Sequence, residues 1–502
     1  MFNKIKILRN LEDLKKLRSS NKTKKIILCH GVFDLMHVGH LYHFYSAKKF
    51  GDILVVSITD DPFVNKGPNK PFFNQEERLF ALSNIKNIDY LFLNQYPTPI
   101  KLIESLKPNF YAKGVEYSDV KRDITGNINK EIKVLEKCGG KILYTEDKVF
   151  SSTSIINKIN NRDNFKKYLD IIYNNENLET VVNQTLDQLK KKKVLFIGEA
   201  ILDEYIFTKT LGKSSKESIL TSSYLNKETY FGGVYAAINS VSDILENITV
   251  ITNKNIDASL NNDLTKNKNC KIIEIDASQK GLLKKTRYLD PTNKKIFEVY
   301  NKEHYELTVK NRNDLLDALK SNLKKADLVI VFDFGHNFLN EASINYIEKN
   351  SKFLCVNAQT NSSNFGTNKI SKYKRKDYFC IDSLEAKLEI SEEFNHNNIL
   401  HLKKLKKRNK GNFIVTCGIN GCVFLRNNKI YNVPAFSKNS VDSIGAGDVF
   451  FSWSSLFYFI NKNLSLSAFC GSIAASYKVL KLGNKVKINR ISFLRSLFSI
   501  LK

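Results

Sequence analysis

Long apolar segments are absent from this sequence. No stretch reaches the roughly eighteen consecutive apolar residues that a membrane-spanning helix needs, so we expect no membrane insertion. The first ten residues are charged and lack the apolar centre of a secretory signal peptide. Together these two absences predict a protein that works in the cytoplasm.

Cysteines in a pairing pattern are absent as well. The eight cysteines are scattered, and Cys417 and Cys422 are the one close pair, on either side of a predicted turn. Proteins that depend on disulfide bonds usually work outside the reducing cytoplasm and carry their cysteines at paired spacings. The cysteine pattern therefore favours a reduced, cytoplasmic enzyme.

Acidic residues are few relative to basic ones. The 51 Asp and Glu residues stand against 78 Lys and Arg residues, which gives a net charge of +27. A charge of this size is typical of proteins that bind nucleic acid or anionic lipid. The basic residues, however, are spread along the whole chain. This distribution favours a generally basic surface that tolerates anionic small molecules, with neither nucleic acid nor membrane as a partner.

The chain has room for two or three domains in its 502 residues. Residues 160–190 are polar, lack glycine and proline, and carry leucine, isoleucine and valine at helical spacing. A new apolar run begins at Val194. We therefore predict a first domain over residues 1–160, a helical linker over 161–192 and a second domain over 193–502.

The first domain alternates short apolar runs with longer amphipathic stretches. Strands are predicted at 26–29, 53–59, 90–93, 110–112 and 141–144, and helices at 38–50, 74–88, 100–106 and 130–137. This alternation predicts a parallel sheet with helices on both faces, a Rossmann-like α/β fold. Ligands of such sheets bind beyond the carboxyl ends of the strands.

A pair of histidines, in His37-Val38-Gly39-His40, lies at that end of the predicted sheet, where the first helix begins. Two histidines three positions apart on a helix share one face, and both can donate to phosphate oxygens as charge develops. Gly39 lets a nucleotide approach the backbone, and the helix amino terminus adds a positive field. The pattern predicts nucleotidyl transfer, with His37 and His40 as catalytic residues.

The stretch from Gly31 to His40 resembles the GxFDxxHxGH motif of the cytidylyltransferase-like family. Segments similar to its AKxxGD, KG, QR, KGxDY and STTxII elements follow in the family's order, with Glu116 in place of the family's aspartate. The resemblance covers about residues 5–160. It implies that the nucleotide is bound by Gly31, Phe33, Asp34, Gly39, Lys66, Arg78, Lys113, Gly114, Ser152 and Thr153.

A second phosphate-handling pattern, Gly445-Ala446-Gly447-Asp448, precedes an apolar helix in the second domain. Small residues at a helix start expose successive N–H groups, which can bind the oxyanion of a transferring phosphoryl group. Asp448 follows closely enough to take the proton of an attacking hydroxyl. A plain helix cap is the alternative. We predict that Asp448 is the catalytic base and that Gly445, Ala446 and Gly447 form the anion hole.

Two other segments of the second domain are candidates for sugar binding. Asp203 follows a strand end, where its carboxylate can clamp sugar hydroxyls. Gly232 and Gly233 precede a helix of small residues, where a ligand can approach the backbone. A simple helix-start turn would have the same sequence, so both interpretations of the glycine pair remain open.

Residues 193–500 resemble the ribokinase (PfkB-type) sugar kinase family. The segment Val441–Asp448 is similar to its VDTTGAGD, Val415–Gly421 to its VTLGxxG, and Lys285–Arg287 to its KTR strand. The resemblance implies an α/β sheet with a small β lid and Mg-ATP as the donor. It also implies ATP contacts at Thr416, Gly418 and Gly421, and sugar contacts at Asp203, Gly232, Gly233 and Arg287.

Two positions depart from the kinase pattern. The family's NxxE, which organises Mg²⁺ through water, reads Asp382-Ser383-Leu384-Glu385 here, and an aspartate can still serve a hydrated cation. The family's GGxxN has Ala236 in place of the asparagine, which removes a common sugar contact. The identity of the sugar and the activity of the kinase domain therefore stay open.

The pairing of domains resembles the bifunctional heptose kinase and adenylyltransferase family, in reversed order. It implies phosphorylation of a heptose-like sugar or sugar phosphate and nucleotidyl transfer from ATP or CTP to the sugar 1-phosphate, for surface polysaccharide or lipopolysaccharide, and it is compatible with a homodimer. An alternative is a nucleotidyltransferase with a non-catalytic, sugar-sensing kinase-like domain. A third is an RNA-directed protein, because HxGH also occurs in class I aminoacyl-tRNA synthetases, but no KMSKS-like loop is present.

Overall fold

The computed structural model describes residues 6–64, 70–114, 127–145, 178–254, 269–276, 283–301, 307–437, 440–484 and 487–501. The chain folds into two compact units. One consists of residues 1–162 together with 491–502, and the other of residues 163–490. No helix of the described residues is long and apolar enough to cross a membrane.

The first unit is built on a six-stranded sheet in which all neighbouring strands are parallel. Its strands are β1 (Lys6–Leu8), β2 (Ile26–Gly31), β3 (Ile53–Thr59), β4 (Tyr90–Asn94), β5 (Phe110–Gly114) and β6 (Lys141–Thr145), in the spatial order β1-β4-β3-β2-β5-β6. Its helices include α1 (Leu11–Ser20), α2 (Val38–Lys48), α3 (Gln75–Ser83), α4 (Ile100–Leu106) and α5 (Asn127–Lys137). The predicted Rossmann-like fold is confirmed.

Helices cover both faces of this sheet, because successive side chains of a strand point to opposite sides. Ile26 and Leu28 of β2 belong to one buried cluster with residues of α1, α4 and α5. Ile27 and Cys29 belong to a second cluster with residues of α2 and α3. The continuous apolar run of β2 is therefore explained by burial on both faces, as expected for a central parallel strand.

Two elements at the start of the chain were not predicted, and one helix is shorter than predicted. Strand β1 and helix α1 precede the first predicted strand, and β1 pairs with β4 at the edge of the sheet. Helix α3 ends at Ser83 rather than at residue 88. Asn84 leaves helical geometry at φ −97° and ψ 5°, and the buried Ile88 packs in the core beyond the helix.

The second unit contains a nine-stranded sheet, parallel from β11 to β17 and antiparallel beyond. Its strands are β7 (Lys193–Gly198), β10 (Asn247–Asn253), β11 (Cys270–Ile275), β14 (Leu328–Asp333), β15 (Leu354–Ala358), β16 (Tyr378–Asp382), β17 (Asn412–Thr416), β18 (Cys422–Arg426) and β19 (Lys429–Val433). The spatial order is β11-β10-β7-β14-β15-β16-β17-β18-β19. The carboxyl ends of its parallel strands lie along one edge.

A separate four-stranded sheet forms the predicted lid. Its strands are β8 (Ala200–Lys213), β9 (Leu220–Gly233), β12 (Lys284–Leu289) and β13 (Lys295–Asn301), in the order β13-β12-β8-β9. Strand β8 begins two residues after β7 ends, so the chain passes directly from the central sheet into the lid. This connection lies at the carboxyl end of β7, the end at which ligands of such sheets bind.

Helices of the second unit flank the large sheet and bury its apolar strands. They include α6 (Leu178–Lys190), α7 (Val234–Val241), α8 (Val309–Asn322), α9 (Glu341–Asn350), α10 (Ser383–Ile390), α11 (Ile399–Arg408), α12 (Ala446–Asn461) and α13 (Leu464–Lys478). The last helix of the chain is α14 (Arg490–Leu501), and from Ile491 onward it is grouped with the first unit. Helices α12 and α13 are almost wholly buried, and Trp453 of α12 donates from Nε1 to the Ser240 carbonyl at 3.1 Å.

Part of the predicted linker is an integral helix of the second unit. Helix α6 buries Leu178, Val182, Leu186 and Leu189 at helical spacing. Its Thr185 hydroxyl accepts from the side-chain amide of Asn461 at 3.0 Å, which joins α6 to the end of α12. The other residues of the predicted linker, 161–177, lie outside the described part of the chain.

Candidate active sites

The histidine pair of the first unit lies where strand β2 gives way to helix α2. His37 caps the helix in an extended conformation, and its Nδ1 accepts from the Gly39 N–H at 3.1 Å. The rings of His37 and His40 stack, with centroids 4.0 Å apart and an interplanar angle of 21°. The three-residue spacing therefore places both imidazoles on one side of the helix start.

The protonation of His37 follows from its surroundings. Burial lowers the pKa of His37, so the neutral imidazole is favoured at pH 7. Because Nδ1 accepts a hydrogen bond, the proton of the neutral ring is assigned to Nε2. A neutral N–H at that position is a suitable donor to a phosphate oxygen.

Gly31, Phe33 and Asp34 shape the loop beside the histidines. A side chain on Gly31 would come within 3.1 Å of the Phe33 ring, which itself packs edge-on to His40 at 5.5 Å. Asp34 accepts from the backbone N–H groups of Phe72 at 2.6 Å and Phe73 at 3.0 Å. In this structure Asp34 therefore fixes the residue 72–73 segment next to the loop, and its contact with nucleotide stays a prediction.

Arg78 is a buried residue whose side chain holds neighbouring segments of this unit together. It is 1 % exposed and donates to the carbonyls of Val32 at 2.6 Å, Thr59 at 2.9 Å and Phe73 at 3.1 Å. Its guanidinium also pairs with Asp61. These bonds join three segments at the carboxyl edge of the sheet, which gives Arg78 a supporting role. Because the side chain is buried, it has almost no exposed surface that could contact nucleotide.

The other predicted nucleotide contacts of this unit are divided between described and undescribed residues. Lys113, near the end of β5, places Nζ 3.6 Å from Glu131 and 4.8 Å from the Tyr111 ring centroid, and Gly114 ends the same strand. Gly39 lies in the first turn of α2. The remaining three, Lys66, Ser152 and Thr153, lie outside the described residues.

His43 is a residue of this site that the sequence interpretation missed. It follows His40 by three positions on α2, and its Nδ1 lies 2.8 Å from the Thr145 hydroxyl at the end of β6. The continued three-residue spacing of histidines along the helix was the signal available in the sequence. The contact fixes the helix that carries His37 and His40 to the carboxyl edge of the sheet.

In the second unit, the predicted anion hole lies at a helix start, and its role stays a prediction. Gly445 is the cap of α12 at φ +77°, a left-handed conformation that favours glycine. Ala446 donates its N–H to the Ser443 carbonyl at 3.2 Å. The N–H groups of Gly447 and Asp448 belong to the first helical turn, where no intrahelical acceptor exists, so they are suited to an anion.

Asp448 is buried in the same turn, and its surroundings tune its charge. Burial raises the pKa of Asp448 to about 6, opposed by Lys285 and by a hydrogen bond from Gln359, with Asp203 adding to the increase. A carboxylate with a pKa near 6 is largely ionised at pH 7 and yet basic enough to accept a proton. The environment thus suits the predicted role of Asp448 as a base.

The sugar-side residues meet at the base of the lid. Asp203 of β8 forms a buried ion pair with Arg287 of β12, Oδ1 to Nη1 at 2.5 Å. Lys285 lies opposite Asp203 in the strand register. A Cβ on Gly232 would come within 2.2 Å of Asp203 Oδ2, so the absent side chain of Gly232 makes room for this carboxylate.

Gly233 and its neighbours fix the junction between the lid and helix α7. Gly233 has φ +60°, and a Cβ there would lie 2.1 Å from the Glu199 carbonyl. The Val234 N–H donates to that same carbonyl at 3.0 Å. Ala236, where the kinase pattern has asparagine, is 8 % exposed in α7. This junction therefore requires glycine at 233 but presents an apolar residue at 236.

Glu199 is a buried carboxylate that the sequence interpretation did not assign to the site. Its two oxygens accept from the N–H groups of Phe334 and His336, each at 3.0 Å. Burial, reinforced by the nearby Asp333, raises the pKa of Glu199. Glu199 thereby fixes the loop after β14.

The residues predicted to contact ATP lie at the end of β17 and in the turn that follows it. Thr416 ends the strand, and the Cys417 N–H donates to the Gly421 carbonyl at 2.7 Å. Gly418 and Gly421 have φ of +56° and +82°, and a Cβ on Gly421 would lie 1.9 Å from the Val433 carbonyl. The two glycines thus shape the turn, while Thr416 reaches the cavity.

The two acidic residues predicted to hold a hydrated cation form a capping box at α10. Asp382 Oδ1 accepts from the Glu385 N–H at 2.7 Å, and Glu385 Oε2 accepts from the Asp382 N–H at 2.9 Å. Glu385 Oε1 also accepts from the Thr360 N–H at 2.9 Å, and burial followed by the Asp382 charge raises the pKa of Glu385. Carboxylate oxygens are suitable partners for hydrated Mg²⁺, so the donor chemistry fits.

One cavity of about 220 Å³ brings most of the predicted kinase residues together. Its lining includes Asp203, Gly233, Arg287, Asp382, Glu385, Thr416, Gly445, Gly447 and Asp448. Lys285 and Gln359, which were not predicted as site residues, also line it. Gln359 follows β15 directly, so the carboxyl-end rule for parallel strands was the signal that could have found it.

Two family models match separate segments of the chain. Residues 28–159 match the family model described as cytidylyltransferase-like, and residues 284–488 match the pfkB family carbohydrate kinase model. The chain therefore contains a cytidylyltransferase-like domain followed by a PfkB kinase domain.

Curated relatives match a minor part of the chain. The chain is 32% identical over 162 residues to the Bifunctional protein HldE of Campylobacter concisus, and 36% identical over 157 residues to that of Geobacter metallireducens. These matches cover 32% and 30% of this chain, and 32% and 31% of the relatives. The chain thus spans about a third of the length of these relatives.

The solved structure of phosphofructokinase-2 from Escherichia coli in complex with potassium has the same fold as the second unit. It superposes with a TM-score of 0.50 at 13% identity, over 61% of this chain and 99% of that chain. At this identity the likeness concerns the fold alone. It agrees with the predicted ribokinase-like architecture.

Proposed function

We propose that this chain is a bifunctional sugar-activating enzyme. Its second unit phosphorylates a heptose-like sugar or sugar phosphate with ATP, and its first unit transfers a nucleotide from ATP or CTP to the sugar 1-phosphate. The product is a nucleotide sugar for surface polysaccharide or lipopolysaccharide. The observation that carries the proposal is that each unit has its own set of groups suited to phosphate, with the stacked pair of His37 and His40 in one and Asp448 at the start of α12 in the other.

In the transferase step, a phosphate oxygen of the sugar 1-phosphate attacks the α-phosphorus of the nucleotide, and pyrophosphate leaves. His37 and His40 donate to the oxygens on which charge develops, and the amino terminus of α2 adds its field. His43 and Arg78 hold the helix and the adjoining loops in place. The step requires no covalent intermediate.

In the kinase step, a sugar hydroxyl attacks the γ-phosphorus of ATP, and the bond to the β-phosphate oxygen breaks. The hydroxyl proton passes to Asp448, and the N–H groups at the start of α12 stabilise the transferring group. Asp203 orients the sugar, held in turn by Arg287. Lys285, which also lines the cavity, favours a substrate that carries negative charge.

Magnesium fits the kinase cavity on the side of α10. Asp382 and Glu385 are the residues that would hold the hydrated ion, and bound Mg²⁺ would neutralise phosphate charge. Glu385 already accepts two backbone hydrogen bonds, so its carboxylate is oriented in advance.

A second candidate function, sugar sensing by a non-catalytic kinase domain, is favoured by one observation. Ala236 replaces the asparagine of the kinase pattern and is an apolar residue in α7. Under this alternative the second unit binds a sugar phosphate but forms no ADP. The tuned environment of Asp448 supports the catalytic proposal instead.

The proposal is tested by incubating the protein with Mg-ATP, Mg-CTP and a panel of sugars and sugar phosphates, and following pyrophosphate and ADP release separately. Asp448→Asn keeps the shape of the side chain but cannot accept the proton, so we expect sugar-dependent ADP formation to collapse while pyrophosphate release persists. If the wild-type protein forms no sugar-dependent ADP with any compound, the sensing alternative replaces the kinase proposal.

The proposal includes a homodimer. The hairpin formed by β8 and β9 exposes several large apolar side chains, namely Leu211, Ile219, Leu220, Tyr224 and Leu225. Exposed apolar groups of this kind are typical of contact surfaces. Light scattering coupled to size-exclusion chromatography measures the mass directly, and a monomer at all concentrations would remove the dimer from the proposal.

A further inference from the structure

Lys478 is a buried cation that the phosphoryl-transfer scheme does not use. It ends helix α13 and is 2 % exposed. Within the described part of the chain, its Nζ has no hydrogen-bond partner. Burial of an ammonium group without hydrogen bonds is unfavourable, so the position requires an explanation beyond packing.

The nearest anion to Lys478 is already satisfied by other groups. Asp442 Oδ2 lies 3.7 Å from Lys478 Nζ, but the same carboxylate pairs with Lys295 at 2.9 Å. It also accepts from the Tyr205 hydroxyl and the Gly483 N–H, each at 3.0 Å. Two lysines, Lys295 and Lys478, therefore share the Asp442 carboxylate.

The pKa of Asp442 reflects the two neighbouring lysines. Burial by itself raises the pKa of Asp442, but Lys478 and Lys295 more than offset burial and hold the pKa at about 2. The carboxylate is therefore ionised throughout the physiological range. Burial lowers the pKa of Lys478, while Asp442 and Asp203 act in the opposite direction.

Lys478 lies next to the predicted anion hole. Cε of Lys478 is 3.4 Å from the position that a Cβ on Gly445 would take, and Gly445 caps α12. Asp442 also accepts from the Ile444 N–H at 3.1 Å, which connects the cluster to the loop before the cap. A buried cation and a helix amino terminus thus act on the same small volume, and both favour an anion there.

We propose that Lys478 is a positioning residue for phosphoryl transfer, whose ammonium group holds the loop from Asp442 to Gly445 and adds positive charge to the helix start that binds the terminal phosphate of a nucleoside triphosphate. This inference rests on the proposed kinase function. The α- and β-phosphates lie further from the helix start when the terminal phosphate occupies it. Loss of Lys478 should therefore weaken ATP binding more than ADP binding.

The first experiment measures the affinity of the full chain for Mg-ATP and Mg-ADP by calorimetry, without sugar. In Lys478→Met we expect ATP affinity to fall by about tenfold or more, as for loss of a charge-assisted contact, and ADP affinity to change by less than about twofold. Lys376→Met is the matched control. Lys376 is also buried, but it donates to the Tyr373 carbonyl at 2.7 Å and lies before β16, at the amino end of the sheet.

The second experiment is a chemical rescue that a purely structural role would not permit. Lys478→Ala leaves a space for a small cation, so ammonium ions should restore part of the ATP affinity and of the ADP formation. Choline at the same ionic strength, which is too large for the space, should not. A melting curve of each variant identifies any that fail to fold.

Three results would overturn the role of Lys478. These are an unchanged ratio of ATP to ADP affinity in Lys478→Met, the same change of ratio in Lys376→Met, and equal rescue by choline and ammonium. Because nucleotide binding is measured without turnover, a wild-type protein that binds ATP but phosphorylates no sugar would contradict the kinase proposal alone. A wild-type protein that binds no ATP would overturn both.

Discussion

At the scale of single residues, the two predicted sites differ in the groups that would bind phosphate. In the first unit, burial lowers the pKa of His37, and the hydrogen bond at Nδ1 assigns the proton to Nε2, so the His37 donor is a neutral imidazole. In the second unit, backbone N–H groups at the start of α12 are the predicted phosphate donors, and burial raises the pKa of Asp448 to about 6. The first predicted site therefore relies on two side chains, and the second on backbone N–H groups and one base.

Removal of one imidazole should affect only the transferase. In His40→Ala we expect pyrophosphate release to fall by about two orders of magnitude, as for loss of one transition-state donor. The stacked partner His37 keeps its bond to Gly39, so the helix start should persist. ADP formation by the same preparation serves as the control. Near-normal pyrophosphate release in this variant would contradict the assignment of His40.

The base of the kinase should control its pH profile. Asp448 must be ionised to accept a proton, and its pKa is about 6, so kcat/KM for ADP formation should rise with pH up to about 6 and level off above. Gln359 donates to Asp448 Oδ1 and favours the ionised form. Gln359→Leu should therefore raise the pKa of Asp448 and move the rising, acidic part of the pH profile to higher pH. An acid limb that is identical in wild type and variant would argue against Asp448 as the titrating base.

At the scale of elements, the lid strands determine how the sugar side is built. Strand β8 carries Asp203 and strand β12 carries Lys285 and Arg287, and their parallel register places Lys285 opposite Asp203. Strand β9 approaches from the other side of β8 through Gly232, which leaves space for the carboxylate. The hairpin of β8 and β9 and the more distant strand β12 thus form one polar surface.

A single methyl group at the β9 position should disturb this surface. In Gly232→Ala the new Cβ would lie 2.2 Å from Asp203 Oδ2, so the carboxylate must move and its ion pair with Arg287 must weaken. We expect the KM for the sugar substrate to rise by about tenfold or more, since the positioning of the substrate is lost. Pyrophosphate release should not change. A variant with unaltered sugar KM would show that Asp203 does not orient the sugar.

At the scale of the whole molecule, the predicted catalytic groups of each activity lie within one unit. The histidine pair and its supporting residues lie within the first unit, and the cavity with Asp448 lies within the second. The product of one activity, directly or after removal of a phosphate, has the chemistry of the other's substrate. We therefore expect transfer between the activities by diffusion.

Cleavage between the units should leave both activities intact. A protease site inserted near Asn175 lies before α6, which packs in the second unit, and helix α14 remains attached at the chain end. After cleavage we expect pyrophosphate and ADP release to stay within about twofold of the uncut protein, because each site is complete in its unit. An uncut chain with a silent insertion is the control. Loss of either activity on cleavage alone would indicate that the connection is required.

Local pattern determined the elements and the motifs of this protein. Alternating apolar runs specify a sheet with helices on both faces, and short motifs such as His37–His40 and Gly445–Asp448 combine residues that lie within one helical turn of each other. Such groups are brought together by the local backbone geometry, so the sequence by itself was sufficient to identify them. The α/β fold class was predictable for the same reason.

Tertiary structure decided which distant residues complete each site. Gln359 meets Asp448, Lys478 meets Asp442, and Arg78 turns inward to three carbonyls, through contacts between segments that are far apart in the chain. Edge strand β1 was likewise too short to be recognised before its pairing with β4 was known. These features depend on the register and packing of whole elements, and a linear pattern of residue types contains no measure of the distances that result.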